Sequence, residues 1–336
     1  ALGRDPGRAE AHRELSDLLR ARGATEDALR HGYEALRHRP GWAYAHNSIG
    51  VALHALARLD EAIDQFEHAL RAEPAHASAH VNLGNALLDK GDPDAAIGHY
   101  RRAVALDPGF ATAHLNLAMA LEDDGRYTDA LESYARAQAL EPSDGIRIKM
   151  ATMLPLYPES GAEIDRLRER LGQSIAELAG QALRLRDPAR EVGQTAFLLP
   201  YQGRNDRDLQ LRLAALYEHA CPELLYVAPH CRAPQVPHVR HAQRARLRVG
   251  FASKYFTAHS VGIWFNRLIA LLAAEPDMEV ALIDLSGAAD SELHNACARY
   301  IAPPQDLAQA REAIAREELD ILVYADIGMD PLSYFL

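Results

Sequence analysis

The sequence predicts an α-solenoid of helical repeats followed by an α/β domain built on a parallel sheet. Two observations carry this prediction. Prolines recur at a constant step of 34 residues, at Pro40, Pro74, Pro108 and Pro142. From Leu247 onwards, short apolar runs alternate with segments of helical periodicity, which is typical of buried strands and their crossover helices.

Composition limits the classes of protein that this chain can belong to. Its 336 residues suffice for about two domains. A formal net charge of -11 makes it a poor general binder of nucleic acid or of anionic membranes. No apolar run is long enough for a transmembrane helix, and the first residues lack the apolar core of a signal peptide. Three cysteines cannot form a disulfide framework, so we expect a reducing compartment and a cytoplasmic protein.

The step of 34 residues also governs small and aromatic residues. Two alanine positions recur in every period, an aromatic recurs in three periods and a glycine in two: Ala28, Ala62, Ala96, Ala130; Ala35, Ala69, Ala103, Ala137; Phe66, Tyr100, Tyr134; Gly50, Gly84. Small residues let two helices cross closely, and proline ends the second helix of each unit. The pattern resembles the tetratricopeptide repeat. We expect four units, at about residues 9–42, 43–76, 77–110 and 111–144, within a first domain over 1–144.

The resemblance to tetratricopeptide repeats implies a concave groove for a polypeptide. In that family the sixth position of each unit faces the groove, and here it holds Glu14, Ser48, Asn82 and Asn116. A carboxamide both donates and accepts hydrogen bonds, so it can hold a peptide backbone whatever the peptide's side chains are. We therefore predict an acceptor groove at Ser48, Asn82 and Asn116. The alternative is that these are ordinary solvated polar positions.

Four histidines follow the same step, and they suggest a ladder of metal ligands: His12, His46, His80 and His114. Neighbouring units stack about 10 Å apart, whereas zinc needs its nitrogen ligands about 2 Å away. We therefore interpret these histidines as occupants of a position that larger aromatic residues fill elsewhere, and we expect no metal.

Residues 145–246 form a second region, predicted to be largely helical up to about residue 220. Apolar residues follow the helical period over Ile164–Leu178, and a further helix is expected at DLQLRLAALYEHACP. The connector at 232–248 is basic, yet a short basic linker on an acidic chain favours a solvated segment over a nucleic-acid site. A zinc site is a weaker alternative, because the spacings fit no common zinc module: Cys221, His230, Cys231, His238 and His241.

The sequence of residues 247–336 predicts an α/β pattern. The expected strands are LRVGFAS, MEVALIDL and ILVYAD, and the expected helices are IWFNRLIALLAAE, DSELHNACARY and DLAQAREAIAREELD. Ligands of such sheets bind at the carboxyl ends of the strands, here Ala252–Gly262, Ser286–Asp290 and Asp326–Pro331. Neither a glycine-rich dinucleotide loop nor a Walker loop is present.

Four stretches of the second half resemble the tetratricopeptide-bearing O-linked N-acetylglucosamine transferases, in the SPINDLY-like bacterial branch. They are RIKMATMLPLYPESGAEIDRLRERL, TAFLLPYQGRNDRDLQLRLAALYEHACPELLYVAPH, LRVGFASKYFTAHSVGIWF and DILVYADIGMDPLSYFL. The resemblance implies a glycosyltransferase-B fold, with 247–336 as an incomplete first Rossmann-like lobe. It also implies that His259 is the active-site histidine and that Ser260, Val261 and Gly262 form a donor or phosphate loop. The alternative for His259 is a histidine that only caps the next helix.

The same resemblance implies the reaction. An inverting transferase would move a sugar from a nucleotide-sugar, UDP-N-acetylglucosamine first among the donors, to polypeptide side chains, with neither a metal nor another cofactor. UDP-glucose and GDP-fucose stay open as donors, and Ser/Thr or Asn as acceptors. We expect the chain alone to be inactive, since the donor contacts lie in a second lobe. Two alternatives stay open, a tetratricopeptide scaffold with a degenerate catalytic half and a transferase acting on lipid or polysaccharide.

Overall fold

The computed structural model describes residues 6–193, 195–196, 198–232, 246–257, 259–287, 291–326 and 329–336. The chain divides into two compact units, residues 1–143 and 144–336. In the described residues, no helix combines the length and the apolar character needed to cross a membrane.

The first unit consists of four helical hairpins in succession, and each helix packs against the next. Its helices are α1 (Pro6–Ala21), α2 (Thr25–His38), α3 (Ala43–Ala55), α4 (Leu59–Ala72), α5 (Ala77–Asp89), α6 (Pro93–Leu106), α7 (Ala111–Asp123) and α8 (Tyr127–Leu140). The periodic prolines lie two residues after α2, α4, α6 and α8, so they follow the second helix of each hairpin as the repeat predicts.

The periodic glycines lie where a helix meets an aromatic ring. A Cβ on Gly50 would lie 2.5 Å from the ring of Phe66, and one on Gly84 would lie 2.6 Å from Tyr100. Phe66 and Tyr100 are each 1% exposed, so these rings are fully buried in the repeats. Glycine is required at both positions because the ring occupies the space of a side chain.

The turn between the two helices of each hairpin needs a left-handed residue. Gly23, Gly91 and Gly125 have φ values of 79°, 88° and 74°. The second hairpin has Ala57 at this position, with a φ of 57°. An alanine there carries the steric cost of a left-handed conformation, because its Cβ approaches the backbone. Sequence analysis did not single out this position.

The second unit begins with helices and continues into the sheet. Its first helices are α9 (Asp144–Thr152), α10 (Gly161–Ala179), α11 (Pro188–Glu191) and α12 (Arg207–Ala220). The region that the sequence predicted to be largely helical up to about residue 220 is therefore interrupted, because α9 ends at Thr152 and α10 begins at Gly161. The later elements are β1 (Leu247–Ser253), α13 (Ser260–Ala273), β2 (Met278–Asp284), α14 (Ser291–Ala296), β3 (Arg299–Ile301), α15 (Leu307–Ala315), β4 (Ile321–Tyr324) and α16 (Pro331–Phe335).

The described sheet has four parallel strands in the order β3-β2-β1-β4. Sequence analysis predicted β1, β2 and β4 but not the short strand β3, whose residues it assigned to a helix. That helix, α14, ends at Ala296, and three residues from Arg299 pair with β2 instead. Three residues are too few to show a strand periodicity, so only the pairing with β2 reveals β3.

Both faces of the sheet are buried. Val249, Phe251 and Leu282 pack on one face with Ile269 of α13. Ala252 and Ile283 belong to a second cluster, which also contains residues of α10, α12 and α15: Leu171, Ile175, Leu213, Leu216, Leu307 and Ile314. Parallel strands need cover on both faces. The region expected over 145–246 therefore shares a core with the α/β part, and the two lie in one compact unit.

Candidate functional site

The carboxyl ends of β1 and β4 are neighbours in the sheet. β1 pairs with β2 on one side and with β4 on the other, so the strand order reverses direction between β1 and β4. In open parallel sheets this switch point is where ligands bind. The loop after β1 contains His259, and the loop after β4 contains Asp326 and Asp330. Residues 258, 288–290 and 327–328 of the predicted strand-end segments lie outside the described residues.

His259 is the N-cap of α13. Its Nδ1 accepts the backbone N–H of Val261 at 3.3 Å, and its half-buried ring lies 4.6 Å from the ring of Tyr255, centroid to centroid. A nitrogen that accepts a hydrogen bond carries no proton, so the neutral imidazole carries its proton on Nε2. The structure thus gives His259 a capping hydrogen bond and assigns its tautomer.

Ser260, Val261 and Gly262 form the first turn of α13. Ser260 is exposed, whereas Gly262 is buried under its own loop. A Cβ on Gly262 would lie 2.2 Å from the carbonyl oxygen of Thr257, so a side chain there would displace the loop. The start of a helix carries a partial positive charge and favours anions. The predicted phosphate loop therefore lies at a helix N-terminus beside the switch point.

Two contacts join the loop after β1 to the loop after β4. The hydroxyl of Tyr255 donates to the carbonyl oxygen of Met329 at 3.2 Å. Nζ of Lys254 lies 3.2 Å from Oδ1 of Asp330, a carboxylate that is almost fully buried. Asp330 also caps α16, because its Oδ2 accepts the N–H of Ser333 at 3.0 Å. These contacts hold the two strand ends together.

Buried acidic side chains lie at the end of β2, with Asp284, and just after β4, with Asp326. Burial raises the pKa of Asp326, and the hydroxyls of Ser253 and Ser333 act in the opposite direction. Asp284 accepts from the N–H and hydroxyl of Ser286 at 2.9 Å and 2.7 Å, and from the hydroxyl of Tyr300 at 2.9 Å. Sequence analysis placed Asp326 in a strand-end segment and Asp284 in the predicted strand MEVALIDL, but it gave neither carboxylate a role. An Asp in or just after an apolar strand was the available signal.

The predicted groove residues form hydrogen bonds that link one repeat to the previous one. Ser48 donates to Oδ1 of Asp17 at 3.0 Å. Nδ2 of Asn82 donates to Oδ1 of Asn47 at 2.9 Å. Nδ2 of Asn116 donates to Oδ1 of Asn85 at 2.9 Å, and Asn85 also accepts from the hydroxyl of Tyr100. The carboxamides are thus oriented by a network, which sequence analysis did not foresee.

Ser48 and Asn82 line one concavity of about 460 Å³, together with Arg13, Asp17, Arg20, Tyr44, Asn47 and Val51. Arg13 is paired with Asp17 at 2.7 Å. The mixture of two guanidinium groups, carboxamides and a half-exposed tyrosine suits a polar chain such as a peptide backbone. Asn116 is not among the lining residues of this concavity.

Periodic histidines pair with residues of their own hairpins, whereas Nε2 of His114 lies 3.2 Å from the carbonyl oxygen of Pro108. Nδ1 of His80 lies 2.9 Å from Nδ1 of His99, and Nδ1 of His46 lies 2.8 Å from Oε1 of Gln65. Of the zinc alternatives, Cys221 is buried with its sulfur 3.7 Å from Glu223, and His230 contacts the carbonyl of Leu319 at 3.3 Å. His238 and His241 lie outside the described residues.

Comparison with known proteins identifies the repeats. The family described as Tetratricopeptide repeat matches residues 47–109 and 81–145. The first half of the chain contains tetratricopeptide repeats. No curated protein matches the chain.

Several solved structures are similar to parts of it. YrrB, titled a TPR protein with an unusual peptide-binding site, is 21% identical, covering 57% of this chain and 91% of that chain at a TM-score of 0.41. MamA from Desulfovibrio magneticus RS-1 is 24% identical, and the match covers 52% of this chain and 97% of that chain at a TM-score of 0.42. An O-GlcNAc transferase mutant from Thermobaculum terrenum is 18% identical. The match covers 96% of this chain but only 46% of that chain, at a TM-score of 0.36. Likeness at this level assigns no activity to the chain.

Proposed function

We propose that the chain is part of a protein glycosyltransferase of the glycosyltransferase-B type, which moves a sugar from a nucleotide-sugar to polypeptide side chains. The observation that carries the proposal is the loop Tyr255–Gly262, which follows β1 at the switch point and opens α13 with a histidine cap. The same loop belongs to LRVGFASKYFTAHSVGIWF, one of the four stretches that carry the sequence resemblance. A tetratricopeptide array precedes it, as the resemblance requires.

The hydrogen bond of His259 suggests its role. A general base must offer a lone pair, and the lone pair of Nδ1 already accepts from Val261. The other ring nitrogen, Nε2, carries a proton and can donate to an oxygen. His259 in this conformation therefore suits a hydrogen bond to the diphosphate of the donor better than removal of a proton from the acceptor.

Charge develops on the nucleoside diphosphate as the acceptor oxygen or amide nitrogen displaces it from the anomeric carbon, and the acceptor gives up its proton to the leaving diphosphate or to water. A positively polarised helix start and a donating Nε2 both oppose that charge, and they gain strength as the bond breaks. Gly262 lets the loop fold closely against the start of α13, since its missing side chain leaves room for the carbonyl of Thr257.

The repeats would present the acceptor. The carboxamides of Asn82 and Asn116 are held by Asn47 and Asn85, so a polypeptide in the groove meets groups that are already oriented. Prior orientation reduces the entropy cost of binding. Hydrogen bonds to a peptide backbone require no particular acceptor sequence.

Calorimetric titration of the chain with UDP-N-acetylglucosamine, UDP-glucose and GDP-fucose tests the donor half of the proposal. We expect one of the three to bind with a dissociation constant in the micromolar range or weaker, and His259→Asn to weaken that binding. The asparagine retains a helix cap but removes the Nε2 donor. Equal binding by the wild type and the variant would contradict the role of His259.

A second candidate function is a protein-binding scaffold. It is favoured by the groove, whose polar residues are oriented by hydrogen bonds to other residues of the repeats. Binding of polypeptide by the chain, with no heat from any of the three nucleotide-sugars, would support the scaffold and exclude a donor site within these residues.

A further inference from the structure

The first hairpin contains a group of side chains that the proposed function does not use. His12 lies on α1, and three residues of α2 face it, His31, Glu34 and His38. Their spacing of three and four residues places them on one face of α2. We call these four residues the His–Glu cluster. All four are half-buried, so solvent and ions reach them.

The distances within the His–Glu cluster are close to those of a metal site. One potential ligand atom from each of His12, Glu34 and His38 lies within 4.8 Å of the others. Nδ1 of His12 lies 2.9 Å from Nδ1 of His31, and the rings of His12 and His38 are 5.7 Å apart with planes 10° from parallel. Tetrahedral zinc, with bonds of about 2.0–2.2 Å, needs ligands roughly 3.4 Å apart. A shift of about 1 Å by half-exposed side chains would bring them there.

The other hairpins show that the cluster is not a general property of the repeat. The third hairpin keeps the histidine pair, His80 and His99, but has Arg102 where the first has Glu34 and Leu106 where it has His38. A guanidinium group repels a cation, and leucine cannot ligate one. The first hairpin therefore adds a third imidazole and a carboxylate to its histidine pair, and the third hairpin adds neither.

We propose that His12, Glu34 and His38 bind a divalent transition-metal ion of the zinc type, with His31 as the residue that orients His12. Two imidazoles and a carboxylate are a common ligand set for zinc, and water completes it. Metal-binding histidines usually make a hydrogen bond with the second ring nitrogen, which is what His31 offers to His12. Because His12 lies on α1 and the other two ligands on α2, the ion clamps the two helices of the first hairpin together.

Arg37 competes with the metal ion for the carboxylate of Glu34. Its guanidinium donates to Oε1 of Glu34 at 3.1 Å, and both side chains reach solvent. Exposed ion pairs of this kind contribute only about 0.2–1 kcal/mol. The pair therefore weakens metal binding without preventing it.

Calorimetric titration of the whole chain with zinc chloride near neutral pH tests the proposal. We expect one site with a dissociation constant in the micromolar range. Glu34→Arg and His38→Leu give the first hairpin the residues of the third, and each should weaken binding about tenfold or more. Both positions are half-exposed, and the third hairpin already has arginine and leucine at the equivalent positions, so we expect both variants to fold.

His99→Gln is the matched control, because it removes a histidine of the third hairpin and copies Gln65 of the second. We expect it to bind zinc as the wild type does. Cobalt chloride gives a second measurement, since tetrahedral cobalt has a visible absorption band that the His38→Leu variant should lose. Absence of zinc binding by the wild type, or equal binding by all variants, would overturn the proposal. Loss of binding in His99→Gln would overturn it too, by placing the ion elsewhere.

Discussion

Nδ1 of His259 accepts the backbone N–H of Val261 at 3.3 Å. This hydrogen bond makes the histidine the cap of α13 and leaves the proton of its neutral ring on Nε2. The two interpretations of His259, a helix cap and a ligand of the leaving diphosphate, are therefore compatible. They use different nitrogens of one ring, so they can be separated by substitution.

Replacement of His259 should affect stability and binding differently. His259→Ala removes the cap, and we expect the free energy of unfolding to fall by about 0.5–2 kcal/mol. His259→Asn keeps a cap and should stay near the wild type in urea denaturation, yet lose nucleotide-sugar binding as His259→Ala does. An asparagine variant that binds the donor normally would restrict His259 to capping.

The groove carboxamides should matter for the acceptor rather than for the donor. In a transferase that contains this chain, Asn82→Ala and Asn116→Ala should raise KM for the polypeptide several-fold and leave KM for the nucleotide-sugar unchanged. Initial rates with each substrate varied in turn measure both values. Arg136→Ala, on the exposed side of α8, is the control. Unchanged KM values would favour the interpretation of these residues as solvated polar positions.

The His80–His99 pair should weaken the repeats at acid pH. Burial lowers the pKa of both rings, and in His99 the neighbouring His80 lowers it further. A lowered pKa in the folded state means that the stabilising neutral form prevails above the ordinary value of 6.5 and is lost as pH falls below it. We expect the free energy of unfolding to fall between about pH 7 and about pH 5.

His99→Gln should make that fall smaller, because one titrating ring is gone while a hydrogen-bond partner for His80 remains. Urea denaturation of the variant and the wild type at about pH 7 and about pH 5 measures the fall in the free energy of unfolding for each protein. An identical loss of stability in the variant and the wild type would show that other groups cause the acid sensitivity.

Glycine in place of Ala57 should stabilise the left-handed turn of the second hairpin. Its φ of 57° costs an L-residue about 1 kcal/mol, which glycine avoids. We expect Ala57→Gly to raise the free energy of unfolding by up to about that amount, measured by thermal or urea denaturation. Ala135→Gly, at an exposed position inside α8, should lower it by about 0.5–1 kcal/mol. The same sign for both substitutions would contradict the explanation.

Gly50 should tolerate no side chain. Gly50→Ala places a methyl group 2.5 Å from the ring of Phe66, and we expect a loss of about 1–3 kcal/mol from overpacking. Gly98 lies in the middle of α6, and nothing beyond the backbone of its own helix lies within 4 Å of the place that a methyl group would take. Gly98→Ala should therefore stabilise the repeats by about 0.5–1 kcal/mol. Urea denaturation of the two variants measures this difference in sign.

The repeats and most of the sheet were predictable from the sequence because their signals are periodic. The proline step located the ends of α2, α4, α6 and α8, and the apolar runs located β1 and β2. The short strand β3 was missed, since three residues at the edge of a sheet carry too little pattern. The end of α9 at Thr152 was missed as well, because the apolar residues that follow it pack into the core without being helical.

In the candidate site, the sequence indicated His259 and its loop through a motif, but it gave no partner for the ring. Tyr255, Lys254 and Asp330 were not singled out, because they meet only when β1 and β4 pair in the sheet. The His–Glu cluster was missed for a related reason. The periodic step compares histidines between hairpins, whereas His12 meets Glu34 and His38 inside one hairpin.

The sequence by itself determined that this chain is a tetratricopeptide array joined to a parallel α/β unit, because repeated and alternating apolar patterns can be buried in few other ways. The tertiary structure decided which polar groups meet. Contacts such as Lys254 with Asp330 and His12 with His31 join residues far apart along the chain. They depend on strand order and helix packing, and no local pattern encodes a distance between two such side chains.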